Sequence, residues 1–266
     1  MPGPAKTTVK RQAAIVEPIS VETYIHVLAR DQQLLDRVEV TSCPRETRRG
    51  VSLLLTHPEL NMLTGQVDTL NRDFRPSRIS FALINIESEV EPEFATLNST
   101  AAVRAMQKRH NKGDEATLNI YIVNEINVPV NHLDCEAPVN SSTAGITEMP
   151  EGGLLGVSSF PWNVIDSSAS DSWSNAVIVK ADTLPGFLLQ LAYSHPRLGK
   201  TATHEIGHWF GLFHTFDEDC DTPFGDLVAD TPESASPTTG CPISRDSHPD
   251  KPGLDPIHNY MDYSSE

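Results

Sequence analysis

Apolar residues recur along this chain with two different periods, and each period marks an element. Val21 to Ala29, VETYIHVLA, is rich in β-branched and aromatic residues and predicts a first strand. Between Pro58 and Phe74 the apolar positions Leu60, Leu63, Val67, Leu70 and Phe74 fall three and four apart, the spacing of an amphipathic helix. Ile79 to Ile86 predicts a second strand, with a loop around Pro92 after it. Thr100 to His110 predicts a short helix that Asn98 or Ser99 caps. Leu118 to Ile126, LNIYIVNEI, carries the strongest strand signal. Residues 131–152 hold Pro138, Gly145, Pro150 and Gly152 and predict a loop. Leu154 to Phe160 and Asn175 to Val179 predict further strands, and a last helix starts at Gly199-Lys200-Thr201. Strands interleaved with helices in this order predict an α/β or α+β domain.

Composition narrows the function. The chain of 266 residues is long enough for one large domain or two lobes. No apolar run approaches the roughly 18 residues of a membrane-spanning helix. With 36 acidic against 20 basic residues the net charge is −16, which argues against nucleic acid as a partner. Residues 1–20 mix Pro, Lys and small residues without periodicity and read as a flexible lead or pro-segment remnant, lacking the apolar stretch of a signal peptide.

The chemistry concentrates in Thr203 to Phe216, THEIGHWFGLFHTF. His204, Glu205, His208, Gly211 and His214 stand in the order H-E-x-x-H-x-x-G-x-x-H. Residues four apart on a helix share a face, so His204 and His208 can aim at one ion. Glu205, beside the first ligand, is placed to work on a bound water as a general base and not as a ligand. Gly211 can take a positive φ, end the helix and swing His214 back as third ligand. Three neutral imidazoles leave a fourth tetrahedral position for water, the pattern of a catalytic zinc. The remaining histidines show no such spacing.

This motif is that of the metzincin metalloproteases. HEIGHWFGLFHTF, then DTPE, then GCP, then LDPIHNYMDY (Leu254 to Tyr263) resembles, more closely, the pappalysin family and its secreted fungal-type extracellular metalloproteases. The similarity runs from about Val21 to the last residue. It implies a zincin fold with a twisted mixed sheet and helices in an upper lobe (about 21–211), the zinc helix at the cleft and a small irregular lower lobe (about 212–266). It implies a zinc-dependent endopeptidase acting on proteins or peptides, with Zn2+ on His204, His208 and His214, and Glu205 as base. Met261 becomes the residue of the Met-turn, and Tyr263 a phenol that supports the oxyanion. An extracellular location and a monomer follow from the same likeness, without nucleic acid or membrane as partners.

Three features remain open on the sequence. From Thr215 to Glu266 twelve acidic residues face two basic ones, a balance of −10, which reads as a solvated face or as a cation site. In the family the matching loop holds Ca2+, and Asp226, the Val228 carbonyl and Thr231 are the positions carried over. Cysteines matching Cys220 and Cys241 sit in two family disulfides, yet His248 stands where the partner of Cys220 belongs, and the partner of Cys241 would lie past Glu266. Cys220 and Cys241 therefore pair with each other or stay as thiols. A helix follows the Met-turn in the family, so the chain is expected to be truncated at its C-terminus. The competing reading is a non-catalytic or truncated zinc-binding remnant of such a protease.

Overall fold

The computed structural model describes residues 17–39, 62–128, 154–162, 175–187, 197–216 and 226–264. A five-stranded sheet in the order β2-β1-β4-β7-β6 forms the frame, from β1 (Ile19–Ala29), β2 (Ile79–Val90), β4 (Leu118–Val123), β6 (Gly156–Ser158) and β7 (Val177–Lys180). The first four strands in that order run parallel, and β6 joins antiparallel at the edge. This is the mixed sheet that the family resemblance implies. A short pair, β3 (Thr96–Leu97) and β5 (Glu125–Ile126), lies beside it.

Both faces of the sheet are covered. All six residues of β4 are buried, as a parallel strand between two helical layers requires. One face carries Val21, Ile25, Val27, Leu118, Ile120, Ile122, Val177 and Val179, packed with Leu63, Val67, Leu70 and Ile206. Those partners come from α2 (Met62–Asp73) and α5 (Lys200–Trp209), while Leu35 and Val38 of α1 (Gln32–Glu39) cover the same core. The other face carries Leu28, Tyr121, Val123 and Ile178 against Phe94 of α3 (Pro92–Ala95) and Val103 and Met106 of α4 (Thr100–His110). The alternation along each strand is the two-residue period of a pleated sheet.

Most predicted elements appear, with instructive differences. The second strand runs on to Val90, and the loop expected at Pro92 is a helical turn with that proline in its first turn, where a missing N–H costs nothing. Ser99, of the two candidate caps, accepts the Ala102 N–H at 3.2 Å. The strand expected over 118–126 breaks at Asn124, whose N–H donates to the Ala95 carbonyl and whose Oδ1 accepts from Arg30 N–H. The chain there leaves the main sheet for β3. Helix α1 has no counterpart among the predictions. Its signal is Asp31, whose Oδ1 accepts from Leu34 N–H as an N-cap. The predicted loop at 131–152 and the start of the Pro58 helix lie outside the described residues, as do residues 1–16 of the lead expected over 1–20, whose last two residues, Ile19 and Ser20, belong instead to β1, paired with Ile79 and Ser80.

Beyond Gly211 the described residues carry neither helix nor strand, only an isolated bridge between Phe216 and Ser234. Two of the acids there are not solvated. Asp255 and Asp262 are buried and accept from Ser247 N–H and Thr238 N–H, and Arg245 approaches Asp255 at 3.3 Å. They hold the segment together where a hydrophobic core is thin.

Candidate metal centre

Helix α5 packs across the sheet and presents His204 and His208 one turn apart. Gly211, at φ 92, ends it in a Schellman arrangement: Gly211 N–H donates to the His208 carbonyl and Leu212 N–H to that of Gly207. A glycine is required here because that conformation strains any side chain. The reversal also aims the Leu212 carbonyl back at the helix, where it accepts from His208 Nδ1 at 2.8 Å. His204 Nδ1 donates to the Tyr260 carbonyl at 2.6 Å.

With both Nδ1 protons committed to carbonyls, the two Nε2 atoms are bare lone pairs. They lie 3.1 Å apart, and each lies 3.0–3.1 Å from Nε2 of His214. Lone pairs converging at that range repel unless a cation sits among them. A tetrahedral ion with Zn–N bonds of about 2.0–2.1 Å sets nitrogens about 3.4 Å apart, close to what is found. The donor set thus fits a divalent metal, and all three predicted ligands are brought together.

Glu205 is buried beneath the edge strand. A Cβ on Gly156 would fall 2.6 Å from Glu205 Oε1, so only glycine lets β6 pass directly over this carboxylate. Tyr263 is half exposed, with its hydroxyl 3.3 Å from His214 Nε2. Met261 is buried under α5, where a Cβ on Gly207 would meet its Sδ at 2.3 Å. Asn259 Oδ1 accepts from Met261 N–H, Thr215 N–H donates to the Met261 carbonyl, and the neighbouring Tyr260 supplies the carbonyl that holds His204.

A brace behind the site went unread in the sequence. Lys200 Nζ donates to both oxygens of Asp73 at 2.9 Å and to the Tyr260 hydroxyl at 3.0 Å, and Thr203 donates to Asp73 at 2.8 Å. Burial works against the Lys200 ammonium, but the bonds to Tyr260 and Asp73 outweigh it and hold its pKa above the ordinary lysine range. The end of α2, the start of α5 and the turn at Tyr260 are thereby joined.

Two other predictions meet the structure differently. Asp226 Oδ1 accepts from Val228 N–H, and the Val228 carbonyl from Thr231 N–H, so two of the oxygens carried over for calcium already have partners inside the loop. Cys241 is exposed, and Cys220 lies outside the described residues. On the opposite face of the sheet, ligand atoms of His26, Glu87 and His110 lie within 4.8 Å of one another, a grouping that no sequence spacing announces.

Comparison with known proteins agrees with this geometry. Residues 171–266 match the family model described as Peptidase M43, pregnancy-associated plasma protein-A. An extracellular metalloprotease of Colletotrichum graminicola is 35% identical over 251 residues, 94% of this chain and 71% of that one. One from Neurospora crassa is 37% identical over 246 residues, covering 92% and 68%. Mature mirolysin of Tannerella forsythia, solved with a cleaved peptide, superposes with a TM-score of 0.57 at 20% identity, over 94% of this chain and 86% of that chain. That likeness concerns the fold.

Proposed function

From the premise that the chain belongs to the Peptidase M43 (pappalysin) family, and so is a zinc-dependent metalloendopeptidase, we propose that His204, His208 and His214 hold its catalytic metal and that Glu205 is its general base. The observation that carries this assignment is the triangle of Nε2 atoms at 3.0–3.1 Å, two of them fixed as lone pairs by their carbonyl partners. Held there, the metal would supply an acidified water and a polarised scissile carbonyl. Glu205 is placed to accept a proton from the attacking water and return it to the leaving amine. The Tyr263 phenol, beside His214, donates to the developing oxyanion. Met261 is the packing floor that fixes α5 from below.

The substrate is protein or peptide. It adds as an extended strand to the outer edge of β6, which pairs only with β7 among the described residues. Secretion belongs to the same reading and rests on the relatives' description as extracellular metalloproteases; a monomeric state is proposed with it. A calcium ion at Asp226, the Val228 carbonyl and Thr231 is a structural addition, requiring the loop to release its internal bonds.

Hydrolysis of casein and zinc content, measured side by side on the chain and on Glu205→Ala, test the assignment. The unaltered chain is expected to cut, with about one zinc. Glu205→Ala should keep its zinc and lose at least about 100-fold in rate. Undiminished cutting by Glu205→Ala overturns the role of Glu205, and zinc without hydrolysis in either protein overturns the catalytic reading.

A further inference from the structure

We propose that Phe160, Trp162 and Phe213 form an aromatic shelf that receives an apolar side chain of the substrate on the amino-terminal side of the scissile bond. The inference rests on the metal and base assignment above and extends it to specificity.

Directly after β6 ends at Ser158, the chain delivers Phe160, whose ring stands edge-on to His208 with centroids 5.2 Å apart. Trp162 stacks on Phe160 at 4.5 Å, 13° from parallel. Phe213 arrives from the turn between the second and third histidines and closes the group, 5.5 Å from Phe160 and 5.6 Å from Trp162. Three aromatic rings from two distant segments thus meet at the flank of one metal-binding histidine.

Phe160 is buried, but Trp162 keeps 41% of its surface exposed, and Leu212 next to Phe213 is 43% exposed. An indole fixed on one face and wet on the other is a preorganised apolar contact: its rotamer is already held, so occupying it costs little entropy. The Gly211 turn runs close on a second side too, since a Cβ added there would come within 3.6 Å of Pro161 and Trp162. A large aromatic surface left in water beside a cleft marks an interaction site, and Trp is the residue type that contributes most to such contacts.

The direction follows from β6. Gly156 passes over Glu205, so the reacting bond lies near that residue, and the strand then runs toward the shelf. A peptide pairing antiparallel, the more stable mode per residue, places the residues before the bond along Ser158 and onto the shelf. The acid-rich segment from Thr215 onward contributes no ring to the shelf, which selects by apolar area and not by charge.

The test is cleavage of a peptide library derived from a denatured proteome, with cut sites read by mass spectrometry, for the chain and for Trp162→Ala, with zinc measured on both. The unaltered chain should show apolar and aromatic residues enriched within about three positions before the cut. For a peptide pair differing as Phe or Ser at the enriched position, Trp162→Ala should lower the Phe-over-Ser ratio of kcat/KM about tenfold, and Trp162→Phe should restore part of it. Zinc near one per chain in each variant shows that the metal site survives. An unchanged ratio, no apolar enrichment, or enrichment only after the cut overturns the shelf. Library cleavage by Glu205→Ala at the same sites and rates overturns the underlying assignment instead, so the two failures are distinguishable.

Discussion

At the scale of single residues, the site depends on two glycines whose missing side chains are filled by the machinery itself. Gly156 leaves room for Glu205, and Gly207 leaves room for Met261. Alanine at position 207 gains roughly 1 kcal/mol in helix propensity. Against that, its Cβ would lie 2.3 Å from Met261 Sδ, inside a buried contact where overpacking costs about 1–3 kcal/mol. The clash should win, because Met261 is buried, its N–H is bonded to Asn259 and its carbonyl to Thr215, so the backbone is not free to retreat. Gly207→Ala is expected to lower the thermal midpoint and weaken zinc binding, and the double variant with Met261→Ala should lose less stability than the sum of the two single losses. A double-mutant cycle by thermal melts decides it; strict additivity would mean that the two side chains do not compete for the same space.

At the scale of elements, α5 does not orient its histidines unaided. His204 is held by the Tyr260 carbonyl, Tyr260 by Lys200, and Lys200 by Asp73 at the end of α2. Lys200→Met should therefore speed the loss of zinc to a chromogenic chelator by up to about tenfold, the scale at which outer-shell partners act on metal affinity, with Lys200→Arg intermediate. Equal release rates in the three proteins would leave the brace without influence on the metal. This brace also explains what was legible beforehand. The proposed ligands and base could be read because their spacing is local, set by one helix and one glycine turn. The Tyr260 and Leu212 carbonyls could not, since every residue has a carbonyl and only the folded turn selects these two. Asp73 and Lys200 lie 127 positions apart, and nothing in either neighbourhood signals the other. The strands were legible where both faces are apolar, as in β4; the one expected over 118–126 was misjudged at Asn124, where a side chain bonds the backbone, and helix α1 was missed because its only local signal is the Asp31 cap.

At the scale of the whole molecule, the sheet separates the metal face from a face that carries a buried polar cluster. His26 on β1 is fully buried, stacked on Tyr121, and faces Glu87, His110 and Asn119, with Lys112 on the far oxygen of Glu87. Asn119 Oδ1 already accepts from Lys112 N–H, so His26 Nε2 is a donor to the same oxygen and the neutral ring carries its proton there. Burial pulls the pKa of His26 below 6.5, with the charge of His110 adding to it; the Asn119 bond and the Glu87 carboxylate oppose but do not prevail. The unfolded chain therefore binds more protons than the folded one below about pH 6.5, and stability must fall as pH drops from there toward the folded-state value. Glu87, whose own pKa is held down by Lys112 and His26 against its desolvation, adds to acid loss only below its ordinary range near 4.5, so the two windows separate. The thermal midpoint of the chain should drop between pH 7 and pH 5. His26→Gln should be less stable at pH 7 yet show a flatter slope across that interval. Proton competition for the three proposed metal-binding histidines also acts in this range, but it is common to both proteins, so the difference between the two slopes isolates His26. Parallel slopes would mean that the buried imidazole takes up its proton without cost, and that the polar cluster, not the apolar core around it, sets the environment of this face.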